Sequence, residues 1–245
     1  MTPSNKMYGH RARIGYTSPP LTTEVFPYEF YKLVPEGVTL AVTSLAIVVR
    51  SKEEIDNSYD ITMRAVREMA ANHCDIVCLG GVPINMSRGA ANAKQMIVDL
   101  ETELGIKIST SASAQEKAMG LLGSKKLVVC HPYEDKDTDR IASYGAHFGG
   151  EILDARGWGS PFNQIARVPQ DAALIMARAL MQKNPGADTI LMPSPHWPTI
   201  GAIDILEKEF GVSVLTALQA IVWDALRRVG INDKIEGYGR LFREF

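Results

Sequence analysis

Residues 100–114 and 206–220 match each other position by position, and this internal repeat restricts the fold more than any other feature of the chain. The first copy reads LETELGIKISTSASA and the second LEKEFGVSVLTALQA, with 6 identical positions and 3 exchanges of one large apolar residue for another. Each copy has the pattern of a helix end, a glycine stop, a short β-branched strand and a turn.

A second matched pair precedes the two copies. Residues 75–81 (DIVCLGG) and 188–194 (DTILMPS) each consist of an aspartate, an apolar strand and a small residue. Two βα units resemble each other by chance in some α/β proteins, but here helix, stop, strand and turn match in register. The repeat therefore predicts an α/β fold of two pseudo-symmetric lobes, each a parallel sheet flanked by helices. The site should lie in the cleft between the lobes, at the carboxyl ends of the strands, where Gly81 and Ser194 face each other.

Apolar strands and amphipathic helices alternate along the chain, which is typical of parallel sheets covered on both faces. Strands are predicted at residues 13–17, 39–47, 76–79, 107–110, 126–130, 151–155, 189–192 and 213–216. Helices are predicted at residues 57–71, 88–104, 114–122, 134–148, 170–184, 199–210 and 216–229. We expect residues 1–115 and 221–245 to form the first lobe and residues 116–220 the second, with the C-terminal helix returning to the first lobe.

Charge and cysteine content limit the classes of function. The 26 basic and 28 acidic residues nearly balance, so the sequence gives no electrostatic reason to expect nucleic acid or an anionic membrane as a partner. Three cysteines in apolar runs fit reduced thiols better than a disulfide framework. The first 20 residues lack the apolar core of a signal peptide. We expect a cytoplasmic protein, and a homo-oligomer is left open.

Polar and conformationally special residues follow the strands. Ser18 and Pro19 end the first strand, Gly80, Gly81 and Val82 follow the third, and Tyr133 follows the strand at 126–130. Paired glycines let a ligand approach the backbone, although a simple tight turn is an equal alternative. Tyr133 is a candidate hydrogen-bond donor to a carboxylate, the alternative being a cap on the edge of the core.

The loop after the strand at 189–192 carries a hydroxyl and an imidazole. Ser194 and His196 flank Pro195, and a nucleophile–base pair is one interpretation, although such near neighbours on an extended loop point apart. The five histidines show no metal-ligand spacing, and a P-loop, a complete G-x-G-x-x-G after a strand, H-E-x-x-H and G-x-S-x-G are absent. The sequence therefore predicts a site without a metal.

Four segments resemble the arylmalonate decarboxylase and maleate isomerase branch of the aspartate/glutamate racemase superfamily. They are the turn SPP (18–20), Tyr59–Asp60 at a predicted helix start, GGVPINMSRGAA (80–91) and GYGRLF (237–242), with WDALR (223–227) as a further match. The resemblance covers residues 13–242 and is closest to the decarboxylase. It implies two pseudo-symmetric α/β lobes and chemistry without a cofactor, in which hydroxyl and N–H donors hold a carboxylate while an enediolate forms.

The resemblance also assigns site positions. The first-lobe cysteine position of the racemases falls at Gly81, where the decarboxylase pattern also has glycine, and the proton-donating cysteine of the decarboxylases falls at Ser194. Tyr59 and Tyr133 match tyrosines that line the family's site. Val82 and Pro83 replace a Thr-Ser pair of oxyanion donors, and Pro195 replaces a glycine.

These residues lead to one main hypothesis and several alternatives. We expect a decarboxylase-like lyase for a small carboxylic or dicarboxylic acid, with Tyr133 and Ser18 binding the substrate. His196, rather than Ser194, should limit proton transfer because its ordinary pKa is near neutrality. The alternatives are an isomerase or a Ser194-dependent hydrolase on the same scaffold, or a binding protein with altered catalysis. Cys74, Cys78 and Cys130 should be dispensable for the chemistry.

Overall fold

A computed structural model describes residues 7–85 and 90–245, and within them two parallel four-stranded sheets are flanked by helices. The strands are β1 (Ala12–Pro20), β2 (Val38–Ile47), β3 (Ile76–Leu79), β4 (Lys107–Thr110), β5 (Lys126–Tyr133), β6 (Glu151–Ser160), β7 (Thr189–Met192) and β8 (Ser213–Thr216). The helices are α1 (Val25–Leu33), α2 (Lys52–Ala71), α3 (Val82–Asn85), α4 (Ala90–Leu104), α5 (Ser111–Leu122), α6 (Thr138–His147), α7 (Ala172–Lys183), α8 (Ile200–Phe210), α9 (Ala217–Arg228) and α10 (Arg240–Glu244). Two 3₁₀ turns cover Asp135–Asp137 and Phe162–Arg167.

The two sheets have the same strand order, β2-β1-β3-β4 and β6-β5-β7-β8. The aspartates that precede the matched strands β3 and β7 make equivalent hydrogen bonds in the two sheets. Asp75 accepts a 2.7 Å hydrogen bond from the N–H of Arg13 at the start of β1. Asp188 accepts 3.0 Å bonds from the N–H groups of Lys125 and Lys126 at the start of β5. The predicted pseudo-symmetric two-lobed α/β fold is confirmed.

The repeated segments adopt the same local structure. Thr110 and Thr216 each accept a hydrogen bond from the backbone N–H three residues on, and Ser113 and Gln219 bond back in complete capping boxes. Such a box satisfies two of the N–H groups that a helix start leaves unpaired. The threonine shared by both copies therefore ends a strand and begins a helix.

Helices α5 and α9 join the two lobes. They pack against each other, and α9 also contacts β3 and β4 while α5 contacts β8. From α9, the buried carboxylate of Asp224 accepts hydrogen bonds from Ser109 at 2.6 Å and Lys117 at 2.9 Å. Helix α9, the last helix predicted from the sequence, thus contacts the first sheet, whereas α10 at the C-terminus contacts β8 of the second. The division of the chain between the lobes remains a prediction.

Some elements differ from those predicted, for local reasons. Helix α2 begins at Lys52 because Ser51 and Glu54 form a capping box, so Tyr59 lies inside the helix rather than opening it. Helix α1 was not predicted because it contains Pro27, which lies in the first turn, where the missing N–H breaks no helical hydrogen bond. Residues 86–89, part of the predicted helix 88–104 and of the segment 80–91, lie outside the described residues.

Across residues 7–85 and 90–245, every helix is too short or too polar to cross a membrane.

Candidate functional site

A cavity lies at the carboxyl ends of the strands and is lined by both lobes. The first lobe contributes Pro19, Ile47, Arg50, Ile55, Gly81, Val82, Pro83, Ile84 and Ser111. The second contributes Tyr133, Arg140, Ile141, Tyr144, Phe162, Pro193, Pro195 and His196. Six predicted site residues therefore line one cavity, Pro19, Gly81, Val82, Tyr133, Pro195 and His196, as expected for a site between two α/β halves.

Tyr133 and Ser194 form a buried hydroxyl pair at the second-lobe side of the cavity. Their oxygens are 2.8 Å apart. Ser194 itself is 1% exposed, and its chain neighbours Pro193 and Pro195 line the cavity together with Tyr133. Burial raises the pKa of Tyr133, against the opposing effects of the Arg50 charge and the Ser194 hydrogen bond. The phenol is therefore protonated at neutral pH and can donate a hydrogen bond.

His196 is buried rather than solvated, and this corrects the expected chemistry. Its Nε2 lies 3.1 Å from the Tyr16 hydroxyl and its Nδ1 lies 3.4 Å from Thr23 Oγ1. Burial lowers the pKa of His196 to about 3, because the low-dielectric surroundings disfavour the imidazolium. The expectation that His196 titrates near neutrality is wrong. Because both ring nitrogens have partners other than Ser194, the structure also gives no Ser194–His196 nucleophile–base pair.

The paired glycines have different environments. Gly80 donates its N–H to Thr17, to the carbonyl at 3.1 Å and to Oγ1 at 3.0 Å, so this amide does not point to a ligand. Gly81 has a φ of +80°, and a Cβ there would lie 2.9 Å from both Ile84 Cδ1 and Pro19 Cγ. A side chain at Gly81 would thus require both neighbours to shift. Of the two, Gly81 is the one that opens onto the cavity.

Two further predicted residues do not line the cavity. Ser18 is fully buried, and its Oγ has no hydrogen-bond partner among the described residues. Tyr59 is partly buried and packs against two apolar clusters beneath the first sheet. Its position inside α2, seven residues after the helix begins at Lys52, directs it into this packing. Neither residue is positioned as the substrate contact that the sequence indicated.

Sequence reasoning missed three polar residues of the cavity, Arg50, Arg140 and Ser111. Arg50 lies three residues beyond β2, and its guanidinium carbon is 4.1 Å from the centre of the Tyr133 ring. Searching the end of every strand, including β2, would have found Arg50. Arg140 lies within a predicted helix, where no local pattern marks it. Ser111 directly follows Thr110, the repeated threonine that ends β4. The repeat therefore already indicated this strand end as a place to look for site residues.

The cysteines are buried and separate from this cavity. Cys74, Cys78 and Cys130 are unpaired and buried. Burial raises the pKa of Cys78, and that of Cys130 to about 12, so both are thiols at neutral pH. Among the described residues, no group of three or more His, Cys, Asp and Glu side chains is arranged to hold a metal ion.

Comparisons with known proteins agree with this geometry. The family model for arylmalonate decarboxylase matches residues 14–242. Arylmalonate decarboxylase of Bordetella bronchiseptica is 26% identical over 233 residues, which are 94% of this chain and 96% of that protein. Maleate isomerase of Geobacillus stearothermophilus is 22% identical over 217 residues, 86% of each chain.

Solved structures extend the match to three dimensions. A liganded double mutant of arylmalonate decarboxylase, in which one Gly is Cys and one Cys is Ser, has a TM-score of 0.85 at 25% identity. The match covers 96% of this chain and 100% of that one. Maleate isomerase from Pseudomonas putida S16, crystallised with maleate, has a TM-score of 0.83 at 21% identity and supports the fold alone. The chain belongs to the arylmalonate decarboxylase family.

Proposed function

We propose that this chain is a cofactor-independent lyase that removes carbon dioxide from a small dicarboxylic acid. Membership of the arylmalonate decarboxylase family supports the reaction class. The observation that carries the proposal is the 2.8 Å contact between Tyr133 and Ser194. This hydroxyl pair supplies a proton at the position that the family resemblance assigns to the proton donor. The pair adjoins the cavity that Gly81 also lines.

The reaction requires one bond to break and one proton to move. The bond between the α-carbon and the departing carboxylate breaks, and its electron pair stays on the α-carbon as an enediolate conjugated with the remaining carboxylate. Ser194 Oγ then gives its proton to that carbon, and the Tyr133 hydroxyl replaces the proton on Ser194. A proton from water restores Tyr133. The net change is uptake of one proton and release of one carbon dioxide.

His196 has a different part in this proposal. With a pKa of about 3, the ring is neutral at neutral pH and is a weak base. Its bonds to Tyr16 and Thr23 hold it in the wall beside Pro195. We assign it to shaping the cavity and positioning the Ser194 loop rather than to carrying the proton.

The geometry gives less support to the alternatives. A hydrolase with Ser194 as nucleophile needs a base in contact with it, and Ser194 contacts the protonated phenol of Tyr133 instead. An isomerase or racemase that uses a cysteine from each lobe finds Gly81 at the first-lobe position that the family resemblance assigns to that cysteine. Buried, unpaired cysteines support a reducing compartment, and we propose the cytoplasm as the location.

The test is an assay of carbon dioxide release in D₂O with EDTA-treated protein. The substrates are phenylmalonate and a series of alkylmalonates, and the products are followed by NMR. The proposal predicts loss of one carboxylate and incorporation of one deuterium at the α-carbon, with no effect of EDTA. Conversion of maleate to fumarate without decarboxylation of any malonate would identify an isomerase. Hydrolysis of malonate esters alone would identify a hydrolase, and either outcome contradicts the proposal.

A further inference from the structure

Two arginines bring positive charge into a largely apolar cavity. Arg50 and Arg140 are the charged side chains among the described residues that line it. Both contact one carboxylate, Asp137, at 2.5 Å from Arg50 Nη2 to Oδ2 and at 2.5 Å from Arg140 Nη2 to Oδ1. Burial acts to raise the pKa of Asp137, but the two arginines outweigh it and lower the pKa. Within this cluster, two guanidinium groups and one carboxylate sum to one net positive charge.

The Nε–H of Arg50, one of the side chains that line the cavity, is a buried donor. Its side chain is 13% exposed, and its Nε has no hydrogen-bond partner among the described residues. A buried donor without a partner is unfavourable, and an acceptor on a bound ligand would remove that penalty. The guanidinium carbon lies over the faces of Tyr133 and Phe162, 4.1 Å and 4.8 Å from the ring centres. The stacking occupies the face of the guanidinium, so a ligand would contact its edge, where the N–H groups point.

The loop that carries Arg50 is held in a strained conformation. Arg50 has a φ of +60°, in the left-handed region that L-residues other than glycine occupy only at a cost in free energy. The Glu54 carboxylate accepts hydrogen bonds from the N–H groups of Val48 at 3.2 Å and Val49 at 3.0 Å. The first turn of α2 therefore fixes the loop so that the Arg50 side chain turns into the cavity instead of into solvent.

We propose that Arg50 and Arg140 form a subsite for a carboxylate on the side chain of the substrate. This proposal rests on the proposed function for the identity of the reacting group, since the subsite lies beside Tyr133 and holds the part of the molecule that does not react. The substrate class is then a malonate whose α-substituent ends in a carboxylate. The isoleucines of the cavity, Ile47, Ile55, Ile84 and Ile141, contact the hydrocarbon between the two ends.

The choice of arginine favours a carboxylate over a neutral aryl group. A guanidinium presents its N–H groups in a fork that matches the two oxygens of a carboxylate. A neutral ring placed against Arg50 Nε would leave the donor unpaired and the extra positive charge uncompensated, at a cost in affinity. The subsite therefore acts as a selectivity element as well as an anchor.

Binding of two non-reacting acids separates this proposal from the proposed function. Tricarballylate is glutarate with a third carboxylate on its middle carbon, and neither acid has two carboxyls on one carbon. By isothermal titration calorimetry, the protein should bind tricarballylate at least about tenfold more tightly than glutarate, the range expected for a charge-assisted hydrogen bond. Arg50→Gln and Arg140→Gln should each reduce that ratio below about threefold. Arg50→Lys should retain part of it, because the charge remains without the fork.

The matched control is Arg178→Gln, which removes an exposed arginine paired with Glu209 and should leave the ratio unchanged. If Arg50→Gln fails to fold by circular dichroism, Arg140→Gln carries the test, since Arg140 is more exposed. Equal affinity of the unmodified protein for the two acids would overturn the subsite, as would a ratio that survives both substitutions. A preserved ratio in a protein that decarboxylates nothing would overturn the proposed function alone.

Discussion

At the scale of single residues, burial decides the protonation state of the groups around the cavity. Tyr16 and Tyr133 have pKa values raised by burial, so both are phenols at neutral pH. The pKa of His131 is lowered to about 4 and that of His196 to about 3, again mainly by burial. In the proposed reaction, the proton therefore passes between neutral hydroxyl groups.

The His196 ring should not affect the pH dependence of turnover between pH 5 and 8. With a pKa of about 3, it stays neutral over that whole range. We expect the kcat/KM profile of His196→Gln to have the same shape as that of the unmodified chain, with a loss of less than about tenfold from altered positioning. A limb with a midpoint near pH 6.5 that disappears in His196→Gln would show that the imidazole does carry the proton.

The cysteines should be dispensable for turnover. Their burial and raised pKa values keep them as inaccessible thiols, and iodoacetamide reacts with exposed thiolates. Incubation of the folded protein with iodoacetamide at pH 7 should leave the rate of carbon dioxide release unchanged, with no mass increase on any cysteine. Loss of activity together with alkylation of Cys78 would contradict the assignment of the first-lobe position to Gly81.

At the scale of elements, α1 and α8 meet through a buried carboxyl group. Glu29 of α1 accepts a 3.2 Å hydrogen bond from the N–H of Thr199, the residue before α8. Its other oxygen is buried without a partner among the described residues. Burial raises the pKa of Glu29 from 4.5 to about 7, against opposing hydrogen bonds from the backbone.

This raised pKa predicts how stability depends on pH. Between pH 4.5 and about 7 the folded chain keeps a proton on Glu29 that the unfolded chain releases, so the free energy of unfolding falls as pH rises through this window. Glu29→Gln should remove this loss and gain on the order of 2–3 kcal/mol over the unmodified chain at pH 8. The gain should vanish near pH 4.5. Urea denaturation at both pH values measures it, and a gain independent of pH would contradict the raised pKa.

Local patterns predicted most of the elements and their order. Strands β3, β4, β7 and β8 have the predicted bounds because each is a short apolar run between clear helix and turn signals. Strands β1 and β5 are longer than predicted. Their ends, up to Pro20 and Tyr133, pair with a single neighbouring strand, where proline is tolerated. Helix α10 is only five residues long, too short for a periodic pattern to reveal it.

The candidate site was predicted where it follows the repeat and missed where it depends on contacts between distant segments. Gly81 and Tyr133 were found because strand ends in parallel sheets converge. The pKa of His196 was misjudged because burial by Tyr16 and Phe26, which lie about 170–180 residues away, has no signature near His196 itself. The Arg50–Asp137–Arg140 cluster likewise depends on two lobes meeting.

At the scale of the whole molecule, the site exists because the two lobes are fixed against each other. Helices α5 and α9 contact each other and both sheets, and Asp224 accepts hydrogen bonds from Ser109 and Lys117. These contacts hold the ends of both sheets around one cavity. The first lobe contributes an open backbone at Gly81 and a cation at Arg50, and the second contributes the hydroxyl pair. In the proposed reaction, the proton therefore comes from the second lobe alone.

The central claim is that Ser194 delivers the proton, and the rates of Ser194→Cys and Ser194→Ala test it most directly. A thiol is a much stronger acid than a serine hydroxyl. Ser194→Cys should release carbon dioxide from a malonate roughly 10²-fold faster than the unmodified chain, and Ser194→Ala should be slower by a similar factor. Equal rates for the unmodified chain and a folded Ser194→Ala variant would contradict the account.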